Sequence, residues 1–168
     1  MAARDIRKNF NLFVDGRGYA GQVSEFNPPK LTLQTQDFRA GGMDVPIKVT
    51  VGQESMDCDF SLTAYDKDVL AMFGVAEGNS VPLVVREALE SYDGTVTQVV
   101  RTMRGKITEI DEGTSKPGEI PELKVTVNLS YYKMQHGDST VHEIDAENMV
   151  SVINGVDALA AIRGALGI

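Results

Sequence analysis

Two histidines and a single cysteine have the widest chemical range in this chain of 168 residues. His136 and His142 face each other across a predicted hairpin, but no third ligand-type residue stands at zinc-site spacing beside them. Surface histidines are therefore the favoured interpretation. Cys58 alternates with Met56 and Phe60 on an apolar strand face. This pattern predicts a small buried hydrophobe rather than a nucleophile, and a lone cysteine excludes an intrachain disulfide.

Two pairs of carboxylates stand two residues apart, Asp57 with Asp59 and Glu143 with Asp145. On a strand, such pairs share one face, and the usual reason is that this face meets solvent. Acid–base catalysis would also need a cleft that the sequence does not indicate. Neither a phosphate-binding Gly-Lys-Ser/Thr loop nor a Gly-x-Ser-x-Gly motif occurs. We therefore predict no catalytic, cofactor or metal site, and we expect a protein that is not an enzyme.

The chain is acidic, with 24 acidic and 16 basic residues, a net charge of −8 and a pI near 4.7. Proteins that grip nucleic acid neutralise phosphates with Lys and Arg, so stable binding of DNA or RNA is disfavoured, whereas transient passage of a polyanion is allowed. The basic cluster of Arg4, Arg7 and Lys8 is interpreted as a solvated tail. No apolar run reaches the length of a membrane helix or a secretion signal, which predicts a soluble protein made in a cytoplasm and without membrane binding.

Hydrophobic alternation predicts one mainly-β domain over residues 1–168, with helices at 66–73 and 156–165. The predicted strands cover 10–14, 19–23, 30–38, 45–51, 56–62, 81–89, 95–110, 123–134 and 141–144. Asp66 is placed to cap the first helix, and Gly105 is expected to mark a bulge, because the strand around it is too long to stay flat. The second helix carries an apolar stripe that requires an apolar contact: Val156, Leu159, Ile162 and Leu166.

Several long strands leave sheet edges that a lone domain must hide, twist or pair. Pairing between identical subunits around a ring would remove those edges altogether. The strand at 124–130 sets a polar row, formed by Lys124, Thr126, Asn128 and Ser130, against an apolar one. This polar row is expected to be an outer surface or a subunit interface, and the lumen of a ring remains an alternative.

Three segments carry a resemblance to a known family: "NLFVDGRGYAG", "PKLTLQTQDFRAGGMDVPIKVTVGQESMD" and "VTVNLSYYKMQHGDSTVHEIDAENMVSVINGVDALAAIRGALGI". They are similar to the major tail tube protein of contractile-tailed phages, a family that includes the tube subunit of R-type bacteriocins. The most specific motifs run from Phe38 to Asp44 and from Ile153 to Asp157. The resemblance spans nearly the whole chain, and the middle, at 75–122, is its least distinctive part.

This resemblance implies two packed antiparallel sheets with one or two short helices, assembled as hexameric rings whose inner strands join a continuous barrel. Stacked rings would form a rigid tube that pierces the host envelope on sheath contraction and conducts DNA. The implied partners are other copies of the chain, the tail sheath, the baseplate, the tail terminator and a tape-measure protein in the lumen. The implied location is the virion tail, after synthesis in the host cytoplasm, and no cofactor is implied.

Two groups of residues are predicted to serve assembly. The link between the strands predicted at 30–38 and 45–51 contains two glycines followed by Met43. Burial of this methionine against a neighbouring subunit would explain an apolar side chain in such a link. We therefore predict that this segment contacts a neighbouring subunit, in the first place a subunit of the adjacent ring. The interface residues are Phe38, Arg39, Ala40, Gly41, Gly42, Met43 and Asp44. Strand alternation predicts a lumen-facing row made of Thr32, Gln34, Gln36, Lys48 and Thr50.

Other functions stay open at this point. A tube subunit of a DNA-free particle, such as an R-type bacteriocin or a type VI secretion system, would have a similar fold and similar chemistry. Neighbouring genes for a capsid and a terminase would distinguish a phage from such a particle. A monomeric β-sandwich that binds a ligand or hydrolyses a substrate belongs to a different class, and microscopy for rings or tubes would separate it from an assembling subunit.

Overall fold

The computed structural model describes residues 3–74 and 76–168. In these residues, no helix has the length and apolar character that crossing a membrane requires. The described residues form twelve strands and two short helices. Their bounds are β1 Ile6–Val14, β2 Arg17–Gly18, β3 Val23–Asn27, β4 Leu33–Phe38, β5 Ile47–Gln53, β6 Met56–Leu62, α1 Lys67–Ala71, β7 Val81–Glu90, β8 Val96–Asp111, β9 Leu123–His136, β10 Ser139–Asp145, β11 Val150–Ile153, β12 Val156–Asp157 and α2 Ala160–Leu166.

Ten of the strands form one antiparallel sheet. Eight of them lie in the order β12-β11-β10-β9-β8-β7-β1-β2, and the other two, β6 and β3, lie off this path. Strand β9 joins its two parts, because its first half pairs with β6 and its second half with β10, while β8 runs along its other edge. Strand β3 pairs with β6. Strands β4 and β5 form a separate two-stranded sheet. The predicted mainly-β class with antiparallel sheets is confirmed, and the main sheet is not a closed barrel.

The core lies between the two parts of the main sheet. Alternate residues of β6, β7, β8 and β9 point inward, as half-buried strands require. Their apolar side chains form a single cluster, to which α1 adds Val69. The largest fully buried members are Tyr132, Phe60, Leu12, Leu62, Leu83, Met103, Ile107 and Leu123.

The long ladder of β8 and β9 has a bulge at Gly105, as predicted. The register shifts between Arg104 and Gly105, and Ser130 of β9 is left without a partner there. A Cβ atom added to Gly105 would lie 2.2 Å from the backbone oxygen of Asn128. The close approach of the two backbones therefore requires glycine.

The sequence pattern predicts helix α1 correctly, but it does not predict the structure of residues 19–23. The Asp66 carboxylate accepts a hydrogen bond from the N–H of Asp68 at 2.8 Å, which is the predicted cap. The predicted strand at 19–23 is wrong. Tyr19 is buried, and its carbonyl accepts bonds from the N–H groups of Gln22 and Val23, so the chain turns there and β3 begins only at Val23.

The end of the chain also differs from expectation. The predicted helix at 156–165 is shorter and begins later, because β11 and β12 pair first and occupy residues up to Asp157. Helix α2 ends at Gly167, whose φ of 74° is left-handed.

A charged network is buried at one end of the core. The Arg101 guanidinium donates to the Tyr132 hydroxyl at 2.6 Å and to the Glu87 carboxylate at 3.3 Å. Arg7, which is half exposed, approaches the same carboxylate at 3.6 Å. Breaking a buried ion pair costs more than replacing both partners with apolar side chains.

We expect Gly105→Ala to lower the free energy of unfolding by about 3 kcal/mol, because the new methyl group overlaps backbone rather than a movable side chain. Gly41→Ala is the matched control, since a Cβ there meets nothing within 4 Å. Urea denaturation of both variants measures the difference. Equal stability of the two variants would contradict a required close approach.

We expect Glu87→Met to lower the free energy of unfolding by about 3 to 5 kcal/mol, because Arg101 then keeps a buried charge without its carboxylate. The double variant Glu87→Met/Arg101→Met should recover most of that loss. Exposed Glu109 supplies the control, since Glu109→Met is expected to change stability by no more than about 0.5 kcal/mol. A double variant no more stable than Glu87→Met would contradict this explanation, because removing the unpaired charge would then bring no gain.

Candidate assembly surface

The hairpin of β4 and β5 has no core of its own. In the described part of the chain, these two strands pair only with each other. Every residue of both strands is exposed except Gln53, which is half-buried. A strand that packs on a core shows alternating burial, as β7 does. The hairpin is therefore not packed on the main sheet through either of its faces.

The register defines two chemically different faces. Gln36 pairs with Val49 and Phe38 with Ile47, and residues paired across an antiparallel ladder point to the same side. We call this side, which also holds Gln34, the apolar face. Thr35 pairs with Thr50 and Asp37 with Lys48 on the other side, the polar face. The Lys48 ammonium lies 3.0 Å from the Asp37 carboxylate, which confirms that these two residues share a face.

The predicted lumen row is divided by this register. Gln34 and Gln36 lie on the apolar face, Lys48 and Thr50 on the polar face, and Thr32 precedes β4. The five residues therefore do not form one row. The sequence gives alternation within each strand, but it does not give the pairing between strands, and a bulge after Gln34 shifts that pairing further.

The predicted interface segment, Phe38 to Asp44, forms the tip of the hairpin. A turn closes through the bond from the Met43 N–H to the Ala40 carbonyl at 3.1 Å, and Gly42 has a φ of 85°. Met43 folds back so that its sulfur lies 3.4 Å from the Ala40 nitrogen, and it is only half exposed. Phe38 is 53% exposed and Val45 is 69% exposed. The apolar surface of the tip is therefore larger than the single methionine that the sequence indicated.

Ile47, Val49 and Val51 alternate along the strand predicted at 45–51, a pattern that predicts burial of one face. The structure leaves all three exposed. One signal could have revealed this. Residues 34–37 of the paired strand contain no apolar side chain, so β4 has no face suited to a core.

Arg163, in α2, connects this helix to the chain before it. Arg163 donates to the Asp157 carboxylate and to the Met149 carbonyl, both at 2.6 Å. The hydrogen bond from Arg163 lowers the pKa of the Asp157 carboxyl, and the Leu159 N–H adds to this effect. None of the seven residues of α2 is buried, and Val156, Ile162 and Leu166 are exposed. Leu159, the fourth residue of the predicted stripe, is half-buried, so the predicted apolar contact is made within the subunit at that residue alone.

A groove of about 370 Å³ opens beside this segment, and we call it the C-terminal groove. The base of the hairpin closes one side of it through Glu54 and Ser55. Its apolar lining comes from Met56, Leu129, Ile144, Met149, Val150 and Leu159.

Asp145 lines the same groove with a carboxylate. Burial acts to raise the pKa of Asp145, but hydrogen bonds from the side chain and N–H of Asn148 and from the N–H of Glu147 lower it overall. The groove is therefore apolar along its lining and carries negative charge at Asp145 and Glu54.

The histidines, the cysteine and the carboxylate pairs do not form a reactive site. The register pairs His142 with Met134 and His136 with Ser139, so the prediction that the histidines face each other is wrong. The cause is the two-residue turn between β9 and β10, which places His136 opposite Ser139 at the start of β10. His142 is half-buried rather than at the surface, and burial followed by the nearby Arg101 charge lowers its pKa.

The carboxylate pairs have structural partners. Asp57 accepts a bond from Asn128 and Asp59 accepts one from Asn27, while Glu143 accepts one from the Tyr131 hydroxyl. Across residues 3–74 and 76–168, no cluster of His, Cys, Asp or Glu has the geometry to hold a metal ion. Cys58 is buried as predicted, and burial, with the charges of its two aspartate neighbours, raises its pKa to about 12.

The chain is similar in sequence to the tail tube proteins of two phages. The tail tube protein of Escherichia phage P2 is 30% identical over 172 residues, which cover all of both chains. The major tail tube protein of Serratia phage KSP20 is 29% identical over 153 residues, which cover 89% of this chain and 88% of that protein.

A solved structure shares the fold. A chain of the cryo-EM structure of an extracellular contractile injection system, the PVC sheath–tube complex in its extended state, superposes with a TM-score of 0.58 at 12% identity, over 76% of this chain and 88% of that one. The family model for phage tail tube protein FII matches residues 4–167. The chain therefore belongs to the phage tail tube protein FII family and is a structural tail tube subunit, not an enzyme.

Proposed function

We propose that this subunit forms hexameric rings that stack into the rigid inner tube of a contractile phage tail. Sheath contraction drives this tube through the host envelope, and DNA passes along its bore. The observation that carries the proposal is the β4–β5 hairpin, which is exposed on both faces and has an apolar face without a partner. A large exposed apolar surface on a globular protein marks an interaction site.

The energetic case rests on Phe38, Ile47 and Val49, which share that apolar face. Burying each side chain against another subunit contributes roughly 1.5 to 3 kcal/mol, before the costs of association. Because a tube repeats the same contact many times, a modest gain per subunit stabilises the whole assembly.

Open sheet edges give independent support. In the described part of the chain, β3 pairs only with β6, and β1 from Ile6 to Asn11 pairs only with β7. Unpaired N–H and C=O groups along such edges favour pairing with another strand. Strand pairing between neighbouring subunits of a ring would satisfy these groups and continue the sheet around the bore.

The polar face of the hairpin is the surface that we assign to the lumen. Of the five residues predicted to line it, Lys48 and Thr50 lie on this face together with Thr35 and Asp37. Gln34 and Gln36 would then turn toward a neighbouring subunit beside Phe38. A net charge of −8 on every subunit disfavours adsorption of DNA to the tube, and screening limits this repulsion to about 8 to 10 Å.

The remaining partners follow from this assembly. The outer surface of the tube would contact the sheath, its two ends the baseplate and the terminator, and its bore the tape-measure protein and then DNA. The subunit would be made in the host cytoplasm and incorporated into the virion tail.

We expect Phe38→Asp to reduce tube formation at least tenfold while leaving the subunit folded, because a charge then replaces an exposed apolar side chain at the interface. Met43→Asp, in the same tip, should have the same effect. Negative-stain microscopy of purified protein counts the tubes, and circular dichroism confirms the fold. Ile120→Asp is the control, since Ile120 is equally apolar and 80% exposed but lies outside the hairpin. Normal tubes from Phe38→Asp would refute the proposed interface.

A cryo-EM map of assembled tubes tests the lumen assignment. We expect Thr35, Asp37, Lys48 and Thr50 on the wall of the bore, and Phe38 and Ile47 against another subunit. The reverse orientation of the hairpin, with its apolar face on the bore, would contradict the assignment without affecting the evidence for rings.

A further inference from the structure

We propose that the hairpin tip of one subunit, residues Phe38 to Ile47, docks in the C-terminal groove of a second copy. This inference rests on the proposed tube assembly and adds the receiving surface. It connects two features that the single chain leaves without partners, the apolar tip and the groove beside α2.

The contact must be between molecules, because of the length of the hairpin. Glu54 and Ser55, at the base of the hairpin, line the groove, whereas Phe38 stands at the far end of β4. Six strand residues at about 3.3 Å each span roughly 20 Å, so the tip of a subunit stands well away from the groove at its own base.

The chemistry of the two surfaces is complementary. The tip offers exposed Phe38, Val45 and Ile47, and the groove offers a predominantly apolar lining with a volume of about 370 Å³, enough for an apolar side chain of this size. The charges of the two surfaces are also opposite in sign. Arg39 is exposed at the tip, and the carboxylates of Glu54 and Asp145 lie at the groove.

The groove is also a defined surface in the free subunit. The hydrogen bonds of Arg163 to Asp157 and to the Met149 carbonyl tie α2 and β12 to the strand region, and Leu159 and Met149 belong to the lining. An interface that is already ordered costs less conformational entropy on association.

This contact uses different surfaces on its two sides, so each copy donates a tip and receives another. Two copies that exchanged tips would close as a dimer, whereas a copy that donates its tip to one neighbour and receives the tip of another generates a closed ring or an extending stack. The ring and the stack both fit a subunit that assembles into a tube.

Chemical cross-linking tests the docking. The double variant Gly41→Cys/Ser151→Cys places one thiol at the tip and one at the groove. Gly41 has open space around its Cβ position, and Ser151 is close to cysteine in size. A short bismaleimide is added to assembled tubes, and the products are separated on a denaturing gel. Native Cys58 remains in place, because it is buried.

We expect a ladder of dimers, trimers and larger products from the double variant. Either single variant should give no product larger than a dimer, and the native chain should give monomers. Tubes of the double variant that yield only monomers would overturn the docking while leaving the proposed tube intact. Failure of the native chain to form any tubes would instead count against the proposed function.

A charge exchange gives a second measurement that does not require cross-linking. Arg39→Glu should reduce the number of tubes at least tenfold, and Arg39→Glu/Glu54→Arg should restore it to within about twofold of the native chain. Both positions are exposed, so the fold should tolerate either substitution. No recovery in the double variant would contradict the pairing of tip and groove.

Discussion

The close approach of β8 and β9 at Gly105 is the constraint on which the rest of the subunit depends. At this point β9 exchanges one neighbour, β10, for another, β6, so the two parts of the main sheet are joined by one continuous strand. Apolar side chains from both parts belong to a single core cluster. Because only hydrogen fits between Gly105 and the Asn128 carbonyl, the geometry of the whole sheet rests on the absence of one side chain.

The subunit separates stability from assembly. The core and the buried Arg101–Glu87 network belong to the ten-stranded sheet, whereas the hairpin and α2 contribute almost no buried apolar side chain. Substitutions in the second group can therefore change association without changing folding. This division suits a protein that must fold as a monomer and then join a large structure.

Sequence reasoning succeeded where the deciding interactions are local and failed where they depend on pairing. Three features follow from neighbouring residues or from strand length: the Asp66 cap, the bounds of β6 and the bulge at Gly105. Tyr19 was misplaced because its burial in the core overrides its strand propensity. The candidate lumen row is divided between two faces because the register sets Gln36 opposite Val49 and Lys48 opposite Asp37. The histidines are separated because the two-residue turn sets His136 opposite Ser139.

The four successive polar residues of β4, from Gln34 to Asp37, have a consequence for the free subunit. Exposed β-hairpins with continuous apolar strands are templates for amyloid-like aggregation. Here one strand of the hairpin is interrupted by amides, a hydroxyl and a carboxylate, and Lys48 adds a charge on the other. These side chains act as gatekeepers against nonspecific stacking. The polar residues of β4 thus disfavour nonspecific strand pairing while the apolar face of the hairpin stays exposed.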